Sequence, residues 1–142
     1  LNHGGIRAVI PKGDVTTRTA FEVMPFENSL IIVGLTGKEI KTLAEYIIKE
    51  KKPHPLYGMK IYIDKSTSAI NKIEINNQPL DENRIYYVGT SDYLANGGDN
   101  MTFFKESNIK FDMDYKLRNM MIDYFKKVDT IPNITTEKII LE

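Results

Sequence analysis

The 142-residue sequence contains no cysteine. That excludes disulfides, thiolate metal sites and a cysteine nucleophile. It does not fix the compartment, because exported bacterial proteins also do without cysteine. Histidine is scarce too: His3 and His54 are the whole supply. Catalytic zinc and two-metal hydrolase centres draw on several imidazoles helped by carboxylates, so two distant histidines argue against a self-contained dinuclear centre. If hydrolysis is the activity, most of its machinery lies outside this sequence. Neither sign of charge is in surplus, with 19 Lys+Arg against 19 Asp+Glu. A dedicated nucleic-acid binder would carry a basic excess. Long apolar runs are missing as well. The longest, Leu30 to Val33, falls far short of the ~20 residues of a membrane-spanning helix.

What is present is ordinary for one soluble domain: 42% hydrophobic and 27% charged residues, around a single core. The opening Leu1-Asn2 runs into Gly4-Gly5 with no leader or helix before it, which reads as a truncated N-terminus.

Two helices stand out. Ile40, Leu43, Ala44, Ile47 and Ile48 form one apolar stripe, and Thr36 with Glu39 supplies a capping box ahead of it. Pro53 and Pro55 close that segment. Leu117, Met120, Met121, Tyr124, Phe125 and Val128 repeat the stripe, with Asp112 or Asp114 expected as its cap. A shorter helix is expected over Thr17 to Val23, stopped by Pro25. Strands are expected where Met59, Ile61 and Ile63 alternate with polar residues and where Ile73 and Ile75 flank Glu74. Further strands are expected at Leu30 to Leu35, Arg84 to Gly89 and Lys138 to Leu141, with a turn at Asn76 to Pro79. The adjacent strands Tyr57–Asp64 and Ile70–Asn76 favour antiparallel pairing. The class is α+β, a mixed-sheet α/β arrangement with helices layered on sheet faces.

Three short segments carry candidate chemistry. In Asn2-His3-Gly4-Gly5-Ile6-Arg7 the glycines let backbone amides approach an anion, and the guanidinium of Arg7 offers a forked cation for phosphate. Only four of the 19 basic residues are arginines, so one beside a glycine pair stands out from the solubilising charges. The plain alternative is a tight turn with a surface ion pair. Pro25-Phe26-Glu27-Asn28 offers a ring face and a side-chain amide, or merely a core phenylalanine and a turn asparagine. Asp92-Tyr93-Leu94-Ala95-Asn96-Gly97-Gly98-Asp99 follows the Tyr86–Gly89 strand and combines a ring, a freed backbone and a carboxylate. A carboxylate accepts both hydroxyls of a ribose diol; the alternative is a strand-end loop. No segment decides alone.

Taken in order and spacing, Asn-x-Gly-Gly-Ile-Arg, Pro-Phe-x-Asn and Tyr-Leu-Ala-x-Gly-Gly-Asp resemble the C-terminal domain of the 5'-nucleotidase family. That family also includes UDP-sugar hydrolases and 2',3'-cyclic-nucleotide phosphodiesterases. Thr36-Gly37-Lys38-Glu39, Asn77-Gln78-Pro79-Leu80 and Asp123-Tyr124 extend the resemblance over most of residues 1–142. It implies that Asn2 and Arg7, with Gly4 and Gly5, reach toward a substrate phosphate, and that Phe26 and Tyr93 clamp the nucleobase. It also implies that Asn28 bonds the base edge and that Asp99, beside Gly97 and Gly98, accepts from the ribose. Tyr93 stands where phenylalanine is frequent, His3 where a small residue is commoner, and Asn100 where glycine is usual.

The same resemblance implies a 5'-nucleotidase C-terminal domain over residues 1–142, incomplete at its N-terminus. Its ligand would be a nucleotide or nucleoside. No catalytic residue, cofactor or metal is expected in this chain. Two divalent metals and catalysis would belong to a metallophosphoesterase domain, on the same precursor or a partner chain. The expected location is periplasmic or cell-surface, without nucleic acid or a membrane span, and a homodimer is left open. Three readings compete: the recognition domain of a 5'-nucleotidase, that of a cyclic-nucleotide phosphodiesterase or nucleotide-sugar hydrolase, and a stand-alone nucleotide-binding module.

Overall fold

The computed structural model describes residues 1–142 and contains two sheets. In the first, β1 (Ser29–Thr36) lies between β5 (Ile85–Ser91) and β6 (Lys110–Lys116), antiparallel to both. The second has the order β4 (Gln78–Pro79), β3 (Ile70–Ile75), β2 (Met59–Ile63), β7 (Ile139–Leu141). There β2 and β3 pair antiparallel, as adjacent strands with a short connection should, while β7 joins β2 in parallel. The mixed-sheet α+β expectation holds.

Helix α2 (Gly37–Glu50) joins the two sheets. Thr36 Oγ1 accepts from the Glu39 amide at 3.3 Å and the Glu39 carboxylate accepts from the Thr36 amide at 2.7 Å, the reciprocal bonds of a capping box. The stripe Ile40, Leu43, Ala44 and Ile47 is buried. It shares one core with Ile31, Val33 and Leu35 of β1 and with Met59, Ile61, Ile63 and Ile73 of the second sheet. Leu94, Ala95, Phe103 and Phe104, from α3 (Asp92–Ala95) and α4 (Thr102–Glu106), close that core near the end of β5. The remaining helices, α1 (Thr17–Val23) and α5 (Leu117–Lys127), pack on each other.

Two expectations are corrected. Asp112 and Asp114 do not cap α5; both lie in β6, and the residue ahead of the helix is Lys116, whose side chain makes no cap bond. The strand does alternate in sequence, with Phe111, Met113 and Tyr115 between polar residues, but Lys110 to Asp114 are all exposed, and aspartates just ahead of an apolar stripe also fit a helix cap. The Asn76–Pro79 segment is only half turn. Asn76 and Asn77 adopt the left-handed conformation, and Gln78-Pro79 then pairs with β3.

Gly37 occupies the first position of α2, where a β-carbon would lie 2.1 Å from the Asp81 carbonyl oxygen. Alanine favours helices, yet Gly37→Ala is expected to destabilise the fold by about 1–3 kcal/mol, because backbone has to move to admit the methyl group. Chemical denaturation reads this directly; a neutral or stabilising substitution would contradict the close approach of the 81–82 turn.

Candidate functional site

Strand pairing brings the three motif segments together. Leu30 of β1 stands opposite Ser91 of β5, and Ser29 opposite Lys116 of β6, with a register shift between Ser29 and Ile31. The segment entering β1 therefore lies beside the start of α3 and the start of α5. Behind the surface, Asn2, Gly5, Ile6, Met24, Ser91 and Leu117 line a small cleft of about 20 Å³.

The Asp99 carboxylate is the most constrained group. Oδ2 accepts from Asn2 Nδ2 at 2.7 Å and Oδ1 accepts from the Tyr93 hydroxyl at 2.8 Å. The Asp99 amide donates back to the Tyr93 oxygen at 3.2 Å, and its carbonyl accepts from the Tyr46 hydroxyl at 2.7 Å. These four bonds hold Asp99 at φ 53, a left-handed conformation that a non-glycine residue keeps only when its surroundings enforce it. Burial first, then the nearby Glu50 carboxylate, pushes the Tyr46 hydroxyl above its ordinary pKa, so it remains a donor. Each Asp99 carboxylate oxygen retains a lone pair for a further hydroxyl.

Gly97 and Gly98 have separate duties. Gly97 turns the chain at φ 93. Gly98 underlies the Tyr93 ring so closely that a β-carbon there would lie 2.4 Å from the ring. Tyr93 is 48% exposed, its ring supported from below and its hydroxyl fixed.

Asn28 Nδ2 donates to Asp92 Oδ1 at 2.7 Å, tying the second motif to the residue before Tyr93. Burial pushes the Asp92 carboxyl up, but bonds from Asn28 and from the Ser29 and Tyr93 amides, with Lys116 nearby, outweigh it. The net effect holds Asp92 below the usual carboxylate value. Phe26 is not a core residue: it is 40% exposed, and the Arg7 guanidinium lies over its ring, 5.1 Å from the centroid. Arg7 itself is exposed, while its amide is anchored to the Val23 carbonyl at 2.9 Å. Gly4 and Gly5 form a 3-10 turn with His3, and the Gly5 amide donates to the Asn2 carbonyl at 3.2 Å.

Two links therefore exist among the sequence-selected residues: Asn2 with Asp99 and Tyr93, and Arg7 with Phe26. Asn28 joins the first through Asp92. Two supporting residues escaped the sequence reading, Tyr46 and Arg118, while Asp92 enters it only as the first residue of the third segment. Of those two, Arg118 alone left a trace, as one of the four arginines. A wide groove lies elsewhere: about 860 Å³, lined mainly by apolar residues of α2, β5 and the 54–59 segment, with none of the selected residues. No group of three or more His, Asp or Glu residues is arranged to hold a metal ion, so no step is derived through one. No helix is long and apolar enough to cross a membrane.

Polar side chains from the three segments thus meet in one network beside two half-exposed rings. Residues 1–106 match the model of the 5'-nucleotidase C-terminal domain, and the chain belongs to that family. It is 30% identical to the trifunctional nucleotide phosphoesterase protein YfkN of Bacillus subtilis (strain 168), over 89% of this chain and 10% of that protein. To protein UshA of Escherichia coli (strain K12) it is 29% identical, over 70% of this chain and 18% of that protein. The crystal structure of a 5'-nucleotidase precursor from Thermus thermophilus superposes with a TM-score of 0.87 at 30% identity, covering 99% of this chain and 30% of that one. The chain thus spans less than a third of each of these relatives.

Two measurements probe the site. Gly98→Ala is expected to push the Tyr93 ring off its support and break the Tyr93–Asp99 bond. The Tyr93 ring resonances should shift while the global unfolding transition falls by no more than about 1–3 kcal/mol. Unchanged Tyr93 resonances would contradict the packing. The second is the pH dependence of Asp92. With its folded pKa lowered, its contribution is complete above the unfolded value of about 3.9 and is lost as pH falls through the folded one. A carboxyl NMR titration should place Asp92 below ordinary aspartates, with the Asn28 side-chain amide shifting in the same step. A midpoint at or above about 3.9 would contradict it.

Proposed function

We propose that this chain is the nucleotide-recognition domain of a 5'-nucleotidase-type phosphohydrolase. Asn2, Arg7 and the amides of Gly4 and Gly5 receive the phosphate. Phe26 and Tyr93 hold the base between them, Asn28 meets its edge, and Asp99 accepts the ribose hydroxyls with Gly97 and Gly98 shaping its turn. The single observation that carries this reading is the Asn2–Asp99–Tyr93 set, which unites the first and third motifs around one carboxylate. Stacking on aromatic rings is worth about 1–3 kcal/mol per base, and a bidentate carboxylate adds selectivity for a cis-diol. Catalysis, with its two divalent metals, belongs to a metallophosphoesterase domain or partner chain, and this chain alone is inactive.

In the same reading the domain continues upstream. The outer edge of β5 has no strand partner, and the apolar groove beside it supports cover by a further strand and helix. The family resemblance supports export to a periplasm or cell surface.

Titration calorimetry with adenosine tests the proposal. Wild-type protein should bind, Tyr93→Ala should weaken binding by at least about 1 kcal/mol, and Tyr93→Phe by less, since it keeps the ring and gives up only the two bonds to Asp99. With added divalent metal, AMP should release no phosphate. Absence of adenosine binding would remove the nucleoside site, and metal-dependent turnover would remove the division of labour.

A further inference from the structure

Three consecutive residues at the junction of β6 and α5 bond every backbone carbonyl of the turn that presents Phe26 and Asn28. Arg118 Nη1 shares its two hydrogens among the carbonyls of Met24, Pro25 and Phe26, at 3.4, 3.2 and 3.4 Å. Lys116 Nζ donates to the Glu27 carbonyl at 2.9 Å and to Ser29 Oγ at 3.0 Å. The Leu117 amide donates to the Asn28 carbonyl at 2.9 Å. Arg118 Nη2 also pairs with the Glu27 carboxylate, and the guanidinium sits 3.8 Å from the centroid of the Phe21 ring.

Arg118 is 5% exposed, and its Nε has no partner. A buried guanidinium leaving one donor unpaired is costly, so the contacts it does make have to compensate. A turn needs no such arrangement merely to connect α1 to β1. Five successive carbonyls pointed at one segment fix the turn's path, and with it the direction in which Phe26 leaves the backbone. Phe26 is exposed, with no core packing of its own to orient it.

We infer that Lys116, Leu117 and Arg118 are positioning residues for the base-recognition turn, setting where Phe26 and Asn28 stand relative to Tyr93. This rests on the proposed nucleoside site. It also extends the functional part of the chain beyond residues 1–106, the portion that matches the family model. The three residues touch no ligand; they act through the turn, fixing one wall of the site while Gly98 and Asp99 fix the other.

The test places 4-fluorophenylalanine at position 26 of the 142-residue protein. It follows the fluorine resonance together with adenosine affinity and the melting temperature. Arg118→Met should shift and broaden the resonance and weaken adenosine about tenfold, because a displaced recognition group loses preorganisation. Arg118→Lys, which keeps a charge for Glu27 but not the fork, should fall between. Ile73→Val, in the buried core of the second sheet, lowers the melting temperature without removing any bond to residues 24–28. It should leave the resonance and the affinity unchanged. If Arg118→Met does not fold, Lys116→Met supplies the same readouts by removing only the bonds to Glu27 and Ser29.

A fluorine signal unmoved by Arg118→Met or its substitute, with adenosine still binding to wild type, overturns the positioning role alone. So does an equal loss of adenosine affinity in Ile73→Val. Wild-type protein that binds no adenosine overturns the nucleoside site itself, and the positioning role with it.

Discussion

The antiparallel pairing of β1 with both neighbours is the constraint on which the rest of the molecule depends. Its core-facing residues Ile31, Val33 and Leu35 are buried against α2, and a slip of one residue would turn them outward. Burial therefore pins the register, and the register pins the strand ends. Because Leu30 faces Ser91 and Ser29 faces Lys116, Asn28 reaches Asp92 and the turn before it reaches α5. Packing energy in the core thus becomes positional accuracy at the surface. The bulge beside Ser29 adjusts the last step, as bulges near sites commonly do.

How much can be read from the chain alone follows from the range of each interaction. Helix α2 is legible because its cap, Thr36 with Glu39, and its apolar stripe are all local. The β2–β3 hairpin is legible for the same reason. Strand β6 is ambiguous: Phe111, Met113 and Tyr115 alternate with polar residues, but its hydrogen bonds come from β1, far away in sequence, and its aspartates stand just ahead of a helical stripe. Its aspartates accordingly pass for caps. Among the candidate site residues, the order of the motifs suggests the grouping, but the links between them cannot be read. Tyr46 sits on a helix whose other residues explain themselves, and its bond to Asp99 spans 53 positions. Arg118 stands next to the first residue of an apolar stripe and passes for a solvated charge until its partners are seen.

The site differs in kind from the core that carries it. The core is apolar and tolerates no gaps, whereas the Asp99 region is a chain of directional bonds among half-exposed groups. Such a network holds its shape through mutual saturation: Tyr46 and Tyr93 donate, Asn2 donates, and one carboxylate with its own carbonyl receives all three. The strained left-handed backbone at Asp99 is maintained by those bonds. Removing any of them loosens the turn as well as the carboxylate. The two glycines ahead of it are not spare flexibility; one makes the turn and the other leaves room for a ring.

The contacts of Arg118 reach across more than ninety residues, from 118 back to the turn at 24–26. A ribosome releases the chain in the opposite sense, so the Phe26 turn emerges long before the helix that fastens it. At roughly 5–20 residues per second that interval is on the order of ten seconds. Throughout it the turn has only its neighbours in sequence for support. The turn is thus fastened only after α5 has been made. Loss of α5 would be felt at the turn before β1.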